Sequence, residues 1–443
     1  MTAPAKPTFR EALAFWFKLG WISFGGPAGQ IAIMHSYLVD KKRWISDRKF
    51  LHALNYCMLL PGPEAQQLAT YTGWLLHGTR GGLAAGILFV LPSACILLIL
   101  SLLYVTVGDI PWVQSLFTGL KPAVVAIVLL AMIKIGKRSL TDWMHYLLAI
   151  GSFIAIFFFK ISFIWILAAS FAIAFISIYL NKKRKNTGNH AAKDTRTDEE
   201  GYFLTTSSPL PHTHFQMSKL MRQIGIFSAL WLIPYLFAIS GAYASFWHDL
   251  ITFFTQAAFV TFGGAYAVLP YVAQEAVYHY EWLNSMHMID GLALGETTPG
   301  PLIMVLAFVG FMGGYTTGGN SLLMGTLGLF TTTYYTFLPC FLFIFAGGPL
   351  IERTQDNPHV KQALTFVTAA ITGVILNLTV YFAEAVLFGK HHKQFAEIEI
   401  QTLNIPALIW IGVSIVALHK YKVSMPLWIG ISAAMGLMMW IVG

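Results

Sequence analysis

The sequence predicts an all-α polytopic membrane protein, built from two inverted-topology repeats with broken or re-entrant helices. Of its 443 residues, 56% are hydrophobic and only 11% are charged, and the mean hydropathy is +0.64. Soluble domains carry roughly 25% charged residues, so an ordinary soluble fold is excluded. Apolar stretches of about 20 residues, each long enough to cross a hydrocarbon core of about 30 Å, recur from end to end. The remaining observation is an internal repeat.

Glycine and proline motifs recur in register in the two halves of the chain. At a constant spacing of 238 residues, SFGGP at 23–27 matches TFGGA at 261–265, and PGP at 61–63 matches PGP at 299–301. At a spacing of 247 residues, LPS at 91–93 matches LPC at 338–340. Chance similarity between apolar stretches does not keep glycines and prolines in register, so the chain is a duplication. Duplicated halves with interrupted hydrophobic segments are typical of transporters.

The repeat also predicts the order of the domains. Residues 1–180 form the N-terminal repeat, and residues 248–443 form the C-terminal repeat. Between them, the polar stretch 181–222 cannot bury a core and predicts a flexible basic linker. Residues 223–247 predict one transmembrane helix without a counterpart in the other half. Helix breaks are expected near 24–27, 61–63, 262–265 and 299–301.

Loop charge predicts that the second repeat is inverted. The loop at 41–49 contains five cations, whereas its counterpart at 277–288 contains no Lys or Arg. Under the positive-inside rule, these equivalent loops face opposite sides of the membrane. If the first two apolar segments of each half enter the membrane and return to the same side, all strongly basic segments fall on one side of the membrane. This arrangement of re-entrant hairpins leaves about nine segments that cross the membrane fully. The sequence does not exclude that these segments span fully.

Composition narrows the partners and the chemistry. The net charge of +8 is explained by basic loops that set orientation and contact anionic lipid, so we expect the bilayer and no nucleic acid as a partner. Cys57, Cys95 and Cys340 lie in apolar segments without metal-ligand spacing, and neither a metal nor a cofactor is expected. Because no cofactor motif or catalytic triad is present, a membrane-embedded enzyme is the less favoured class.

The breaks predict an anion site inside the membrane. Proline has no N–H and glycine permits unusual backbone angles, so these motifs cannot lie within a continuous helix. Broken backbone at membrane depth must face protein or a wet cavity. Each helix that restarts after a break presents free N–H groups, and such helix ends bind anions. The alternative is that these glycines and prolines only permit kinks and close helix packing.

Ionisable side chains near the breaks predict further roles. Glu64 and Glu296 are candidates for proton coupling, because ionisable groups inside membrane segments mark functional sites. Alternatively, Glu64 is a helix-start carboxylate stabilised by the helix dipole, and Glu296 reaches an aqueous vestibule. Lys121 is either a buried cation for the anion or an interfacial lysine. The predicted substrate-binding residues are Gly25, Gly26, Pro27, Gln30, Pro61, Gly62, Pro63, Glu64, Gln67, Lys121, Gly263, Gly264, Thr297, Thr298, Pro299, Gly300 and Pro301.

Four motifs together, FGGP at 24–27, LPGPE at 60–64, FGG at 262–264 and PGP at 299–301, resemble those of the chromate ion transporter family in its long two-domain form. The resemblance covers the chain except the linker and the unpaired helix. It implies chromate export across the bacterial inner membrane and places residues 25–27 and 61–64 in the functional core. The second half keeps the breaks but has Ala265 opposite Pro27 and Leu302 opposite Glu64.

The predicted function is therefore export of the chromate dianion from the cytoplasm. A dianion that leaves a negative-inside cytoplasm gains about 4.6 kcal/mol per 100 mV, so the membrane potential alone can drive export, with proton antiport as a further option. A transporter for sulfate or another oxyanion is the alternative, since sulfate has the same charge and shape. The sequence leaves open the choice between chromate and sulfate, the coupling ion and the formation of a homodimer.

Overall fold

We describe the protein from a computed structural model, which covers residues 4–24, 26–181, 199, 201–206, 208, 215–351, 358–389 and 403–442. Within these residues the regular elements are helices, and one isolated β-bridge joins Ile45 to Leu204. The sixteen α-helices described here follow one another as two similar series, with one additional helix between them.

The first series contains seven helices within the described residues. Their bounds are α1 Phe9–Ile22, α2 Gly26–His35 with a π-helical extension Ser36–Lys41, α3 Asp47–Cys57, α4 Glu64–Val107, α5 Pro111–Ser139, α6 Trp143–Phe157 and α7 Phe163–Asn181. Helix α4 changes direction at His77 and Gly78, where Gly78 adopts a φ of 63°. It therefore consists of a short limb before the bend and a long limb after it.

The additional helix and the second series follow. Their bounds are α8 Met217–Ile239, α9 Ala244–Val260, α10 Ala265–Gln274 with a π-helical extension Glu275–His279, α11 Ser285–Thr297, a 3₁₀ turn Leu302–Met304 leading into α12 Val305–Thr317, α13 Leu322–Ile351, α14 Pro358–Phe388, α15 Ile405–Ile415 with a π-helical extension Val416–Lys420, and α16 Met425–Val442. The additional helix α8 begins and ends several residues earlier than the segment 223–247 expected from the sequence.

Seven of the described helices are long and apolar enough to cross a membrane. They lie at Glu64–Val107, Pro111–Ser139, Phe163–Leu180, Met217–Ile239, Leu322–Pro349, Gln362–Phe388 and Met425–Val442. The other two crossings expected from the sequence fall on the shorter apolar helices Trp143–Phe157 and Ile405–Lys420. The span in α8 contains no buried residue, as expected for a helix at the edge of the bundle, which packs mainly against α9 and α13 among the described helices. The prediction of an all-α polytopic membrane protein is confirmed.

The helices beside the first two breaks begin and end at the same side of the bundle. Near the start of α1, Glu11 accepts a 2.6 Å hydrogen bond from Lys42, which follows α2, and this bond raises the pKa of Lys42. The ring of Phe9 lies 5.6 Å from that of His77, where the short limb of α4 ends. Both broken pairs, α1–α2 and α3–α4, therefore return to the side they entered, which we call the first-half face.

The second half repeats this arrangement. The ring of Phe246, near the start of α9, lies 6.0 Å from that of Trp282, which follows α10. The hydroxyl of Thr316, near the end of α12, donates to the carbonyl of Trp282 at 3.3 Å. The broken pairs α9–α10 and α11–α12 thus also share one side, which we call the second-half face.

The two halves interlock through their long helices. Helix α5 packs against α15 and α16, helix α14 packs against α6 and α7, and α5 and α14 also contact each other. Glycines permit the closest approaches, because a Cβ at Gly119 would collide with the backbone of Ser432 and one at Gly373 with the backbone of Ala149. Each half therefore completes its bundle with helices of the other.

Part of the segment expected to be a linker is bound to the first half. The amides of Phe203 and Leu204 donate to the carbonyls of Arg43 and Trp44 at 3.0 Å, and the amide of Ser46 donates to Leu204 at 2.8 Å. The side chain of Leu204 is buried. Residues 182–198, which include the basic run predicted to be flexible, lie outside the described residues.

Candidate functional site

The four helix breaks meet in pairs, and each pair joins the two halves. The amide of Gly300 donates to the carbonyl of Ser23 at 2.8 Å, and the amide of Gly62 donates to the carbonyl of Thr261 at 2.7 Å. The two bonds are equivalent, since Ser23 corresponds to Thr261 and Gly62 to Gly300. We call the group at residues 23–30 and 298–301 the Gln30 centre, and the group at residues 61–67 and 261–264 the Glu64 centre.

Glycine is required at the donor of each bond. Gly62 and Gly300 have φ values of 124° and 105°, which L side chains rarely adopt. A Cβ at Gly62 would also lie 2.7 Å from the Gln67 amide and 2.8 Å from the Cys340 sulfur, and one at Gly300 would collide with the Ser93 hydroxyl. The backbone angle and the absence of a side chain together allow these two amides to reach the opposite half.

Side chains donate hydrogen bonds to the backbone carbonyls that the helix breaks of the Gln30 centre leave without helical partners. The buried amide of Gln30 donates to Gly300 at 2.5 Å and to Ser23 at 3.3 Å, and the Ser93 hydroxyl donates to Pro299 at 2.5 Å. Gly26, with a φ of 73°, has no atom within 4 Å of where its Cβ would lie, so open space faces this break. Predicted site residue Gly25 lies outside the described residues, and Pro27 occupies the first turn of α2.

The Glu64 centre contains a carboxylate. Helix α4 begins at Glu64 directly after Pro63, and no side chain of the N-cap residue satisfies its first N–H groups. A Cβ at Gly264 would lie 3.9 Å from Glu64 Oε1, so the carboxylate faces the second-half break. The amide of Gln67 donates to Pro61 at 2.7 Å. Gly263 lies beside Thr368 of α14.

The polar residues before the last break are already bonded within the protein. Tyr266 donates to Glu296 Oε1 at 2.5 Å, and Glu296 is buried rather than placed in an open vestibule. The hydroxyls of Thr297 and Thr298 both donate to the carbonyl of Leu294 at 2.7 Å. These two hydroxyls therefore remain available to a ligand only as hydrogen-bond acceptors.

Lys121 has a carboxylate partner that the sequence analysis did not identify. Its Nζ lies 3.5 Å from Asp290 Oδ1, and Tyr104 donates to Asp290 Oδ2 at 2.8 Å. Asp290 lies in the apolar segment that ends at the last break. An ionisable residue in such a segment is the signal that identified Glu296, and the same signal was present here.

A separate cavity of about 360 Å³ lies between α8, α9 and α13. Its lining is apolar and includes Phe227, Trp231, Phe259 and Pro339. Because an oxyanion would lose its hydration there without gaining polar partners, this cavity does not suit such a ligand.

These features define a class of protein: an all-α polytopic membrane protein with four broken helix pairs that are joined across its two halves. The family model described as "Chromate transporter" matches residues 10–175 and 248–437 of the chain, which is most of its length. The chain belongs to the chromate transporter family.

Individual relatives agree with this assignment. A chromate transport protein of Cupriavidus metallidurans is 28% identical over 445 residues, covering 98% of this chain and 94% of the relative. A probable chromate transport protein of Synechococcus elongatus is 28% identical over 381 residues, 84% of each chain. A chromate transport protein of Pseudomonas aeruginosa is 28% identical over 385 residues, 86% of this chain and 82% of the relative. No solved structure matches the chain.

Proposed function

We propose that the protein exports chromate from the cytoplasm across a bacterial inner membrane, through a site formed by its paired helix breaks. The observation that carries this proposal is the pair of equivalent bonds, Gly300 to Ser23 and Gly62 to Thr261, which bring four helix starts together in two centres. At the Glu64 centre, α4 and α10 both begin without a side-chain cap. Helix starts with free N–H groups favour anions.

The arrangement of the two faces supports an inverted repeat. The long limb of α4, residues 79–107, extends about 43 Å at about 1.5 Å per residue, so Tyr104 lies far from the first-half face. The ring of Tyr104 lies 5.9 Å from that of His287, in the first turn of α11. The second-half hairpins therefore begin at the side opposite the first-half hairpins. The basic loop at 41–49 supports a cytoplasmic location for the first-half face under the positive-inside rule.

The substrate is proposed from the relatives and from charge. Two relatives are named chromate transport proteins, and a third is named a probable chromate transport protein. Outward movement of a dianion is favoured by about 4.6 kcal/mol per 100 mV of negative-inside potential. Glu64 and Glu296 are the carboxylates proposed to couple a proton to this movement. Sulfate is the second candidate substrate, because helix-end N–H groups recognise charge and tetrahedral shape rather than the central atom.

Flux measurements test this function. Purified protein in proteoliposomes should move labelled chromate along an imposed potential with no pH gradient, and excess sulfate should reveal by competition whether it shares the site. An added pH gradient should change the rate if protons are exchanged. Absence of flux for both anions would refute the proposal, and chemical reduction of chromate without flux would favour the enzyme alternative.

A further inference from the structure

A charged pair joins the two halves away from the helix breaks. Lys121 lies on α5 of the first half, and Asp290 lies on α11 of the second half, with Nζ and Oδ1 3.5 Å apart. Tyr104 of α4 donates to the other carboxylate oxygen at 2.8 Å. Removing two charges from water costs more than a buried pair usually returns, so such pairs are weak evidence for stability and stronger evidence for function.

The bond from Tyr104 to the carboxylate is shorter than the contact between Lys121 and the carboxylate. Charge-assisted N–H···O bonds are about 2.7–2.9 Å long, so the 3.5 Å approach of Lys121 is a loose contact, whereas the Tyr104 bond has normal length. The side chain of Asp290 is 5% exposed and that of Lys121 is 22% exposed. A ligand can therefore approach Lys121, and Asp290 keeps a donor if Lys121 turns to another partner.

The pair lies between a helix break and the second-half face. Helix α11 begins at this face with Ser285 and ends at Thr297, next to the Gln30 centre. Asp290 is about 7 Å along this helix from its start and about 10 Å from its end. An anion that moves from the Gln30 centre to the second-half face passes this depth.

We propose that Lys121 and Asp290 form a displaceable ion pair on the exit route of the oxyanion. The arriving dianion binds Lys121 and displaces Asp290, which stays bonded to Tyr104. Re-formation of the ion pair then releases the anion toward the second-half face. No covalent bond changes in this exchange. The proposal rests on the oxyanion transport proposed above and assigns Asp290 as the internal competitor of the substrate.

The surrounding charges are compatible with this exchange. His287, on the same helix as Asp290, experiences the fields of Lys121 and Asp109, and Asp109 also acts on Tyr104. Toward the start of α11, Ser285 contacts Tyr381 of α14, which is influenced by Glu384. Helix α16, which also packs against α11, contains no charged residue. Lys121 is thus the cation nearest the carboxylate among these described neighbours.

Half-saturating chromate concentration and maximal flux in proteoliposomes test the proposal. Lys121→Gln should raise the half-saturating concentration about tenfold or more, because the anion loses its cation. Asp290→Asn should lower it about three- to tenfold and also lower maximal flux, because the anion loses its competitor and leaves slowly. The neutral double variant should behave as Lys121→Gln, since Asp290 acts only through Lys121.

Two further variants separate transport from folding. Tyr104→Phe keeps every charge and should raise the half-saturating concentration about threefold, because the displaced carboxylate loses its donor. Lys134→Gln, on an exposed position of α5, is the matched charge control and should change nothing. If both single variants reduce stability and maximal flux with unchanged half-saturation, and the double variant restores both, the pair is a structural contact and the proposal is wrong. Absence of chromate flux in the wild type would instead refute the transport function itself.

Discussion

The Glu64 centre and the Gln30 centre share one backbone arrangement and differ in the side chains around it. In both, a glycine after a proline donates its amide to the opposite half, and a residue on a long helix of that opposite half lies beside the glycine, Cys340 of α13 for Gly62 and Ser93 of α4 for Gly300. Each acceptor, Ser23 or Thr261, also bonds its hydroxyl to the carbonyl four residues earlier. The framework has therefore been kept in both copies.

The charged and polar side chains have not been kept in both halves. Glu64 corresponds to Leu302, Lys121 corresponds to Thr368, and Gln30 corresponds to Val268. Glu64 thus belongs to one centre, and Lys121 lies on the proposed exit route beyond the other centre. Backbone bonds need only glycine and a carbonyl, so side chains outside this framework can diverge without breaking it. A duplicated framework with unequal charges gives the two ends of a route different affinities for an anion.

The largest expected difference between the halves is topological. Arg48→Cys and His279→Cys, at exposed positions of equivalent loops, should be labelled by an impermeant thiol reagent from opposite sides of the membrane in a cysteine-free background. Arg48 should react from the cytoplasm and His279 from outside. Labelling of both cysteines from the same side would refute the inverted repeat and the proposed direction of export.

Alanine at the two donor glycines should reveal how strictly the framework is required. Gly300→Ala should lower maximal chromate flux at least about tenfold, because a positive φ costs about 1–3 kcal/mol and the new methyl group collides with Ser93. Gly62→Ala should be milder, because its methyl group would lie 2.7 Å from the flexible Gln67 amide and 2.8 Å from the Cys340 sulfur, both farther than Ser93 is from a methyl group at residue 300. Flux is compared at equal amounts of folded protein.

Two controls separate the collision from the strain. Gly26→Ala introduces a methyl group into open space at a φ of 73°, so it tests strain alone. Ser93→Ala combined with Gly300→Ala removes the collision and should recover part of the flux. Equal, wild-type flux in all of these variants would mean that the breaks serve helix packing only.

The sequence predicted the breaks well because their causes are local. Proline without an N–H and glycine at a positive φ interrupt a helix whatever surrounds them, so breaks near 24–27, 61–63, 262–265 and 299–301 could be expected directly. The start of α4 at Glu64 follows from the same rule. The resulting hairpins agree with the expectation that apolar segments of sufficient length do not all cross the membrane.

Pairing between the halves could not be predicted, because it depends on tertiary contacts. Nothing local indicates that the break at residue 62 contacts the one at 261 rather than the one at 300. Likewise, Lys121 was recognised as an unusual cation, but its partner Asp290 lies far along the chain and in the other half. The binding of residues 201–206 to the loop before α3 depends on backbone bonds that a polar sequence does not reveal.

The unequal carboxylate gives a prediction for pH dependence. When ionised, Glu64 should repel the dianion, and when protonated it should permit binding. The half-saturating chromate concentration should therefore rise with pH in the wild type and stay low at every pH in Glu64→Gln. The described groups whose charges interact with Glu64 are Arg138 and Cys57. Glu296→Gln is the comparison variant, because Glu296 is the second carboxylate proposed for coupling. A wild-type pH profile in Glu64→Gln would transfer the coupling role to Glu296.

The smallest effect is expected where the two frameworks differ by one atom. Cys340 and Ser93 occupy equivalent positions beside Gly62 and Gly300, but only Ser93 donates a strong bond, at 2.5 Å to Pro299. Cys340→Ser should keep chromate flux within about twofold, because its counterpart already carries serine and Pro61 has a donor in Gln67. The reverse change, Ser93→Cys, should be more harmful. The carbonyl of Pro299 then loses its hydrogen-bond donor inside the membrane, which costs about 1 kcal/mol of stabilising free energy. If Cys340→Ser is instead the more harmful of the two, the backbone frameworks of the two centres are not equivalent, and the sulfur has a role of its own.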